Sequence, residues 1–227
     1  MKAIYLTKDE IKSIAVLPIG SLEQHGPHLP MGTDTIKSLY IAELVERNYS
    51  GGIMILPPIY YGVSIEHSGF PYLGVNYDVF ISYVKQVLLS ARESGVKCVI
   101  VINGHGGNVP ALDIVAREIN FSLRNFRVIN YYLKSTMESD LHAGTEETST
   151  IHVIDQSLIR VNEIPQRSYE IPKGIFSYIG VREASPDGII VQGKILIDSQ
   201  LARKAIAQWV KDVEELVEEC DRFSKSS

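Results

Sequence analysis

A basic excess is absent from this 227-residue chain: 22 lysines and arginines stand against 27 aspartates and glutamates, for a formal net charge of −5. Broad nucleic-acid binding needs a positive surface, so that class of partner is excluded, whereas a small ligand in a locally positive pocket is not. Cysteine is scarce. The two present, Cys98 and Cys220, lie far apart in apolar stretches without C-x-x-C spacing, and the expectation is a buried free thiol at each, in a reducing cytoplasm. Long apolar runs are missing too: no stretch of about 18 apolar residues offers a membrane span. The charged start MKAIYLTKDEIKS has no signal-peptide core. Tryptophan is reduced to Trp209, read as a core or subunit-contact residue.

What is present suits one α/β domain over residues 1–227. Hydrophobic residues make up 45% and charged residues 22%, and a chain of this length buries about 70% of the surface it exposes when unfolded. Short β-rich runs alternate with longer helical patterns. Strands are expected at Ile14–Ile19, 53–56, 98–102 and Arg127–Tyr132; the run CVIVI is short, continuous and β-branched, as a buried parallel strand should be. Helices are expected over 35–47, 77–94, Val109–Ser122 and 199–222 from their apolar spacing, with Gly95 a C-terminal stop and Pro110 tolerated in a first turn. Strand-then-helix alternation predicts a three-layer α/β/α sandwich around a mostly parallel sheet. Residues 162–185 are the least regular and read as a functional excursion.

Metal-capable side chains gather where expected strands end, the place where open α/β sheets put their sites. The first cluster, E-Q-H-G-P-H-L-P-M-G-T-D, runs from Glu23 to Asp34 and offers Glu23, His25, His28 and Asp34. Glu23 and His25 are two apart, so an extended chain points both the same way, and the intervening glycines and prolines permit Asp34 to return. The second, N-G-H-G-G-N over 103–108, follows CVIVI directly. Its glycines, among them Gly106 and Gly107, let backbone approach an ion or substrate closely. The third, H-A-G-T-E-E-T-S, starts at His142 and carries Glu146 and Glu147; a fourth carries Ser64, Glu66 and His67. Five of the six histidines lie in these segments, which packing alone does not explain. Imidazole with carboxylate suits zinc, manganese or iron, and enough ligands are available for a two-metal site bridged by an aspartate.

E-Q-H-G-P-H-L-P-x-x-T-D, then N-G-H-x-x-N, then H-A-G-x-x-E-T-S resembles the creatininase (creatinine amidohydrolase) family over positions from about 15 to 200. The resemblance implies a creatininase-like α/β/α fold, two divalent ions per subunit and a homohexamer. It implies Glu23, His25, Asp34 and His105 as metal ligands, with Asp34 bridging, and His142 as a catalytic histidine. Creatininase proper has a tyrosine and a ligand glutamate in its second motif, N-G-H-Y-E-N, where this chain has Gly106 and Gly107. Glu147, water or nothing takes that glutamate's place; Glu147 is favoured, as both ligand and catalytic group, over a mere N-terminal helix acid. Creatininase also uses tryptophans over its substrate, and Trp209 lies on the terminal helix, so creatinine is not the expected substrate.

The glycine-containing motif looks more like the deformylase branch acting on a formylamino-pyrimidine ribonucleotide, with a precursor-peptide-trimming peptidase and a creatinine-type cyclic amide hydrolase as alternatives. A catalytically silent, metal-stabilised oligomeric binding protein is the alternative of another class. The expected chemistry is attack on a non-peptide amide carbon by a metal-activated water, with His142, titrating near neutrality, moving a proton to the departing nitrogen. Ser64, Glu66, His67, Gly106 and Asn108 are expected to touch substrate or orient ligands, with Lys173, Arg182 and Lys194 available for a phosphate. Glu146 reads as an exposed first-turn acid, and His28 as a ligand-orienting or local structural group.

Overall fold

The run Ile14–Ile19 forms strand β1 with every side chain buried, and a computed structural model describes residues 1–226 around it. After β1 come a short strand β2 (Leu22–Glu23), helix α1 (Thr33–Asn48), and strands β3 (Met54–Ile55) and β4 (Tyr72–Leu73). Helix α2 (Tyr77–Glu93), strand β5 (Cys98–Asn103), helix α3 (Val109–Ser122) and strand β6 (Arg127–Tyr132) follow. The last part holds β7 (Asp140–His142), α4 (Thr145–Ile154), the single turn α5 (Val181–Ala184), β8 (Ile190–Val191) and the long α6 (Ser199–Ser226).

The central sheet has the order β3-β1-β5-β6, and its pairings are all parallel. Because side chains alternate along a strand, β1 and β5 each face two ways. Ala15, Leu17, Ile19, Val99 and Val101 pack with Phe80, Val84 and Leu88 of α2 and Leu112, Val115 and Ile119 of α3. Ile14, Val16, Cys98, Ile100 and Ile102 pack with Ile41 and Val45 of α1 and Ile206, Trp209, Val213 and Val217 of α6. Three layers, α/β/α, result, as the alternating pattern predicts. Gly95 closes α2 at φ +99°, a left-handed turn that glycine adopts without strain. Residues 162–185 are irregular apart from short helical turns.

One helix departs from its apolar pattern. The buried residues of α1 include Thr33, Asp34, Thr35, Lys37 and Ser38 as well as Ile41 and Val45. Its first turns point into a polar pocket, and only its later turns join the core.

The expected free thiols are not found: Cys98 and Cys220 form a disulfide across 122 residues of sequence, their Cα atoms 5.6 Å apart. Cys98 shares the strand face of Ile100 and Ile102, the face that α6 covers. Sequence spacing does not encode which helix covers which strand face, so the pairing is invisible before folding. None of the described helices is long and apolar enough to cross a membrane.

Candidate metal centre

Parallel register brings the ends of the two central strands together: Ile19 pairs with Asn103, so Gly20 and Gly104 follow side by side. The first turn of α1 is pressed onto both. A Cβ on Gly104 would lie 2.2 Å from the Asp34 carbonyl oxygen, and one on Gly20 2.3 Å from the Thr35 nitrogen. Glycine at these positions is what lets Asp34 reach the strand ends. Gly104→Ala is therefore expected to displace Asp34, weaken metal binding at least tenfold and cost about 1–3 kcal/mol by overpacking; metal titration alongside denaturant unfolding measures both.

The loop after β1 is held by pairing with β4, Glu23 opposite Tyr72. That pairing also carries the segment containing Glu66 and His67 to the site. His105 follows β5, and His142 ends β7. Ala143 next to it has φ +53°, a conformation strained for a non-glycine residue and typical of functional sites. Its N–H donates to Glu147 Oε2 at 2.7 Å, tying the first turn of α4 to the kink.

Two triads of potential ligands share this floor. Glu23, Asp34 and His105 form one and His25, His142 and Glu147 another, the donor atoms of each within 4.8 Å of one another. Asp34 lies between them, its Oδ2 3.3 Å from His105 Nδ1 and its Oδ1 3.4 Å from His25 Nε2. Glu23 Oε1, Glu23 Oε2, Asp34 Oδ2 and His25 Nε2 are buried without a hydrogen-bond partner. Buried polar atoms are rarely left so. Several orphaned donor atoms turned toward one another are what a bound cation satisfies, so these residues fit a divalent ion.

Carbonyl groups only accept, so each fixes one ring proton and shows which nitrogen is turned to the site. His105 Nε2 donates to Val63 O at 2.8 Å, turning its Nδ1 toward Glu23 and Asp34, whose carboxylates, against burial, raise this imidazole well above its ordinary range. His25 Nδ1 donates to Glu23 O at 2.9 Å, leaving Nε2 toward Asp34 and Glu147. His142 Nε2 donates to Gln24 O at 2.8 Å, so its Nδ1 faces the site. The Gln24 amide nitrogen donates to His67 Nδ1 at 3.1 Å, which places the His67 proton on Nε2, 3.2 Å from Glu23 Oε1. Although Glu23, His67 and His142 form a third metal-sized triad, this tautomer turns a protonated nitrogen of His67 toward Glu23, which makes His67 a poor ligand.

Charge follows from burial and neighbours. Burial opposes ionisation of Glu23 and Asp34, yet His105 and His67 hold the Glu23 carboxyl, and His25, Lys37 and His105 the Asp34 carboxyl, well below their ordinary range. Against burial, Asp34 raises His25 to about 9. Burial pushes His142 down to about 3, helped by His25 and His67; the imidazole titrating near neutrality that the sequence suggests is instead held uncharged. Burial likewise lowers His28 to about 4, and its Nε2 meets Thr148 Oγ1 at 2.8 Å, a structural contact with α4.

Glu147 faces the His25 side, 3.8 Å from His25 Nε2, where Lys37 pairs with it. Lys37 is also 3.4 Å from Asp34 Oδ1 and almost fully buried. Sequence reasoning missed it; its position three residues after Asp34 on one helix was the available signal. Asp140, also missed, lines the cavity with its carboxyl pushed up to about 7, by burial first and then by Glu147 and Glu146. Glu146 is not an exposed acid: it is buried and accepts the Thr136 N–H.

Glu23, Asp34, His105, His142 and Glu147 of the two triads line a cavity of about 830 Å³ whose walls also include Glu66, His67, Gly106 and Gly107. Ser64 and Asn108 stand behind it instead of in its walls. Ser64 Oγ contacts Ser21 Oγ, and Asn108 accepts from Val63 N–H and donates to Gly20 O, clasping two loops together. Apolar and aromatic groups, Ile65, Leu141, Phe176 and Tyr178, surround the mouth. Among the described residues of its lining, Lys134 is the one lysine or arginine; Lys173, Arg182 and Lys194 lie outside it.

Comparison with known proteins agrees with this geometry. The family profile for creatininase, described as creatinine amidohydrolase, matches residues 5–217. A mycofactocin precursor peptide peptidase from Mycolicibacterium smegmatis is 31% identical over 158 residues, 66% of this chain and 62% of that protein; the chain thus matches less than two thirds of that relative's length. A 2-amino-5-formylamino-6-ribosylaminopyrimidin-4(3H)-one 5'-monophosphate deformylase from Methanothermus fervidus is 26% identical over 227 aligned positions, 92% of this chain and 86% of that protein. The solved structure of a mutant creatininase in a zinc–zinc form superposes with TM-score 0.81 at 17% identity, covering 96% of this chain and 97% of that one. A profile match across almost the whole sequence, over a fold of the same kind, places the chain in the creatininase family.

Proposed function

We propose that the chain is a metal-dependent amidohydrolase that cleaves an amide or formamide C–N bond, other than a peptide bond, in a small molecule. The observation that carries this is the convergence of unpartnered donor atoms from Glu23, Asp34 and His25, the first two of which line an open cavity. Glu23, Asp34 and His105 would hold one divalent ion and His25, Asp34 and Glu147 a second, of the zinc, manganese or iron class. Such ions supply a Lewis acid for the carbonyl and a nucleophilic water at neutral pH.

The chain's own groups do the rest. His142, held uncharged with Nδ1 toward the site, would accept a hydrogen bond from the attacking water and relay its proton to the departing nitrogen without resting as an imidazolium. Gln24 fixes the orientation of His142 through its carbonyl and of His67 through its amide. Lys37 holds Glu147 in place.

Of the substrates of its relatives, a formylamino-pyrimidine ribonucleotide is the first to test, since the deformylase alignment spans 92% of the chain, with Lys134 as the cation on the wall to meet a phosphate. A precursor peptide is the second reading, favoured by the apolar mouth formed by Ile65, Leu141, Phe176 and Tyr178. A formate-release screen over formylated amines and pyrimidines, run beside amino-acid release from peptides, separates them. Formate is expected from a formylamino-pyrimidine, with KM rising in Lys134→Ala for the phosphorylated form only. Free amino acids without formate would move the assignment to peptides. The exposed apolar residues Val79 and Tyr83 of α2 and Ile114 and Phe121 of α3 supply contact surface for the homohexamer that family membership suggests, which sedimentation measures.

A further inference from the structure

Gly107 stands where creatininase proper carries a glutamate, and Glu147, read as a ligand of the second ion, lies on the His25 side of the site. Around Gly107 the site is already full. A Cβ built there would lie 2.3 Å from Val63 O, 2.5 Å from Glu66 Oε1 and 2.5 Å from His105 Nε2. The Glu66 carboxylate therefore occupies the space where any side chain at 107 would begin. We propose that Glu66 supplies, from a different loop, the carboxylate that position 107 cannot carry, as a positioning residue for His105 at the metal site. This rests on the reading of Glu23, Asp34 and His105 as metal ligands.

Geometry supports the exchange in three ways. Glu66 Oε1 is 3.3 Å from His105 Nε2, on the opposite edge of the ring from Nδ1, which faces Glu23 and Asp34 at 3.1 and 3.3 Å. The Nε2–H is shared between Val63 O and Glu66, so the ring is held with Nδ1 as the atom turned to the two carboxylates. A carboxylate behind a ligand histidine orients the ring and strengthens it as a donor. Secondly, the Glu66 loop is fastened to the Gly107 turn. Asn108 Oδ1 accepts from Val63 N–H at 2.9 Å, and the Tyr77 hydroxyl donates to Gly107 O at 3.1 Å. Thirdly, Glu66 lies in the cavity wall while most of its side chain is covered, so its carboxylate is both held and open to the site. Glycine at 107 thus makes room for Glu66 as well as for Val63 O and the His105 ring, and without Glu66 the Nε2 edge of His105 keeps only the Val63 carbonyl and the Ser64 hydroxyl, neither of them charged.

The test is a double-mutant cycle with Glu66→Gln, Gly107→Ala and the combination, read as Mn²⁺ and Zn²⁺ affinity by competition with a chromophoric chelator, with the melting temperature of the metal-free protein recorded beside it. Glu66→Gln, which keeps shape and removes charge, is expected to weaken the tightest ion about 10–100-fold and to leave the metal-free melting temperature unchanged. Gly107→Ala is expected to weaken binding at least as much, and the double variant no further than Gly107→Ala, because both changes remove one interaction. If Gly107→Ala fails to fold, Glu66→Gln alone decides. Wild-type affinity in Glu66→Gln overturns the proposal, as does additive loss in the double variant or a change confined to the metal-free melting temperature. A wild-type protein that binds neither ion overturns the metal reading itself, an outcome distinct from failure at Glu66.

Discussion

Dialysis against a chelator is expected to abolish hydrolysis and to lower the melting temperature by about 5–10 °C, with both restored by zinc, manganese or iron. The cause lies in Glu23 and Asp34: both Glu23 carboxylate oxygens and Asp34 Oδ2 are buried without a hydrogen-bond donor. Both carboxyls are held ionised by neighbouring cations, so without metal the pocket contains converging negative charge that is only partly compensated by Lys37 and a protonated His25. An ion bound at 100-fold its dissociation constant stabilises the native state by about 2.7 kcal/mol. In a chain of this length each kcal/mol moves the melting temperature by about 2–4 °C. Partial compensation by Lys37 is why the stripped protein is expected to stay folded at room temperature. Turnover that survives complete removal, or an unshifted melting temperature, would contradict the centre.

Asp34→Asn and His142→Ala are expected to fail in different ways. Asp34 is the group within reach of both His25 and His105, and an amide of the same shape cannot supply two anionic oxygens. Elemental analysis of Asp34→Asn should show at least one ion lost per chain, with activity at background. His142 has its Nε2 committed to the Gln24 carbonyl and its Nδ1 uncharged toward the cavity. His142→Ala should retain the ions of the wild type and lose about 10²–10⁴-fold in kcat, the range for a missing proton-transfer group. Full metal content in Asp34→Asn would remove the bridging role. Metal loss in His142→Ala would make that histidine a ligand.

The strand and helix pattern was legible because burial imposes periodicity. CVIVI faces two apolar layers and so is apolar throughout, and α3 and β6 begin and end where spacing predicts. The first turns of α1 were harder to read, since their buried face is polar: Asp34 and Lys37 turn inward for the sake of the site. Glu146 misled for a related reason. A first-turn acid is ordinarily solvated and favoured by the helix dipole, and only the approach of residue 136 covers it.

Local sequence alone determined which residue types carry the chemistry, because carboxylate and imidazole at loop positions after buried strands have few other physical uses. Long-range packing decided the rest. The Cys98–Cys220 bond, the contacts of His105 and His142 with the Val63 and Gln24 carbonyls, the pairing of Lys37 with Glu147 and the placing of Glu66 against Gly107 all join residues remote in sequence. Each depends on the distance between two backbones after folding, a quantity that no run of neighbouring residues encodes.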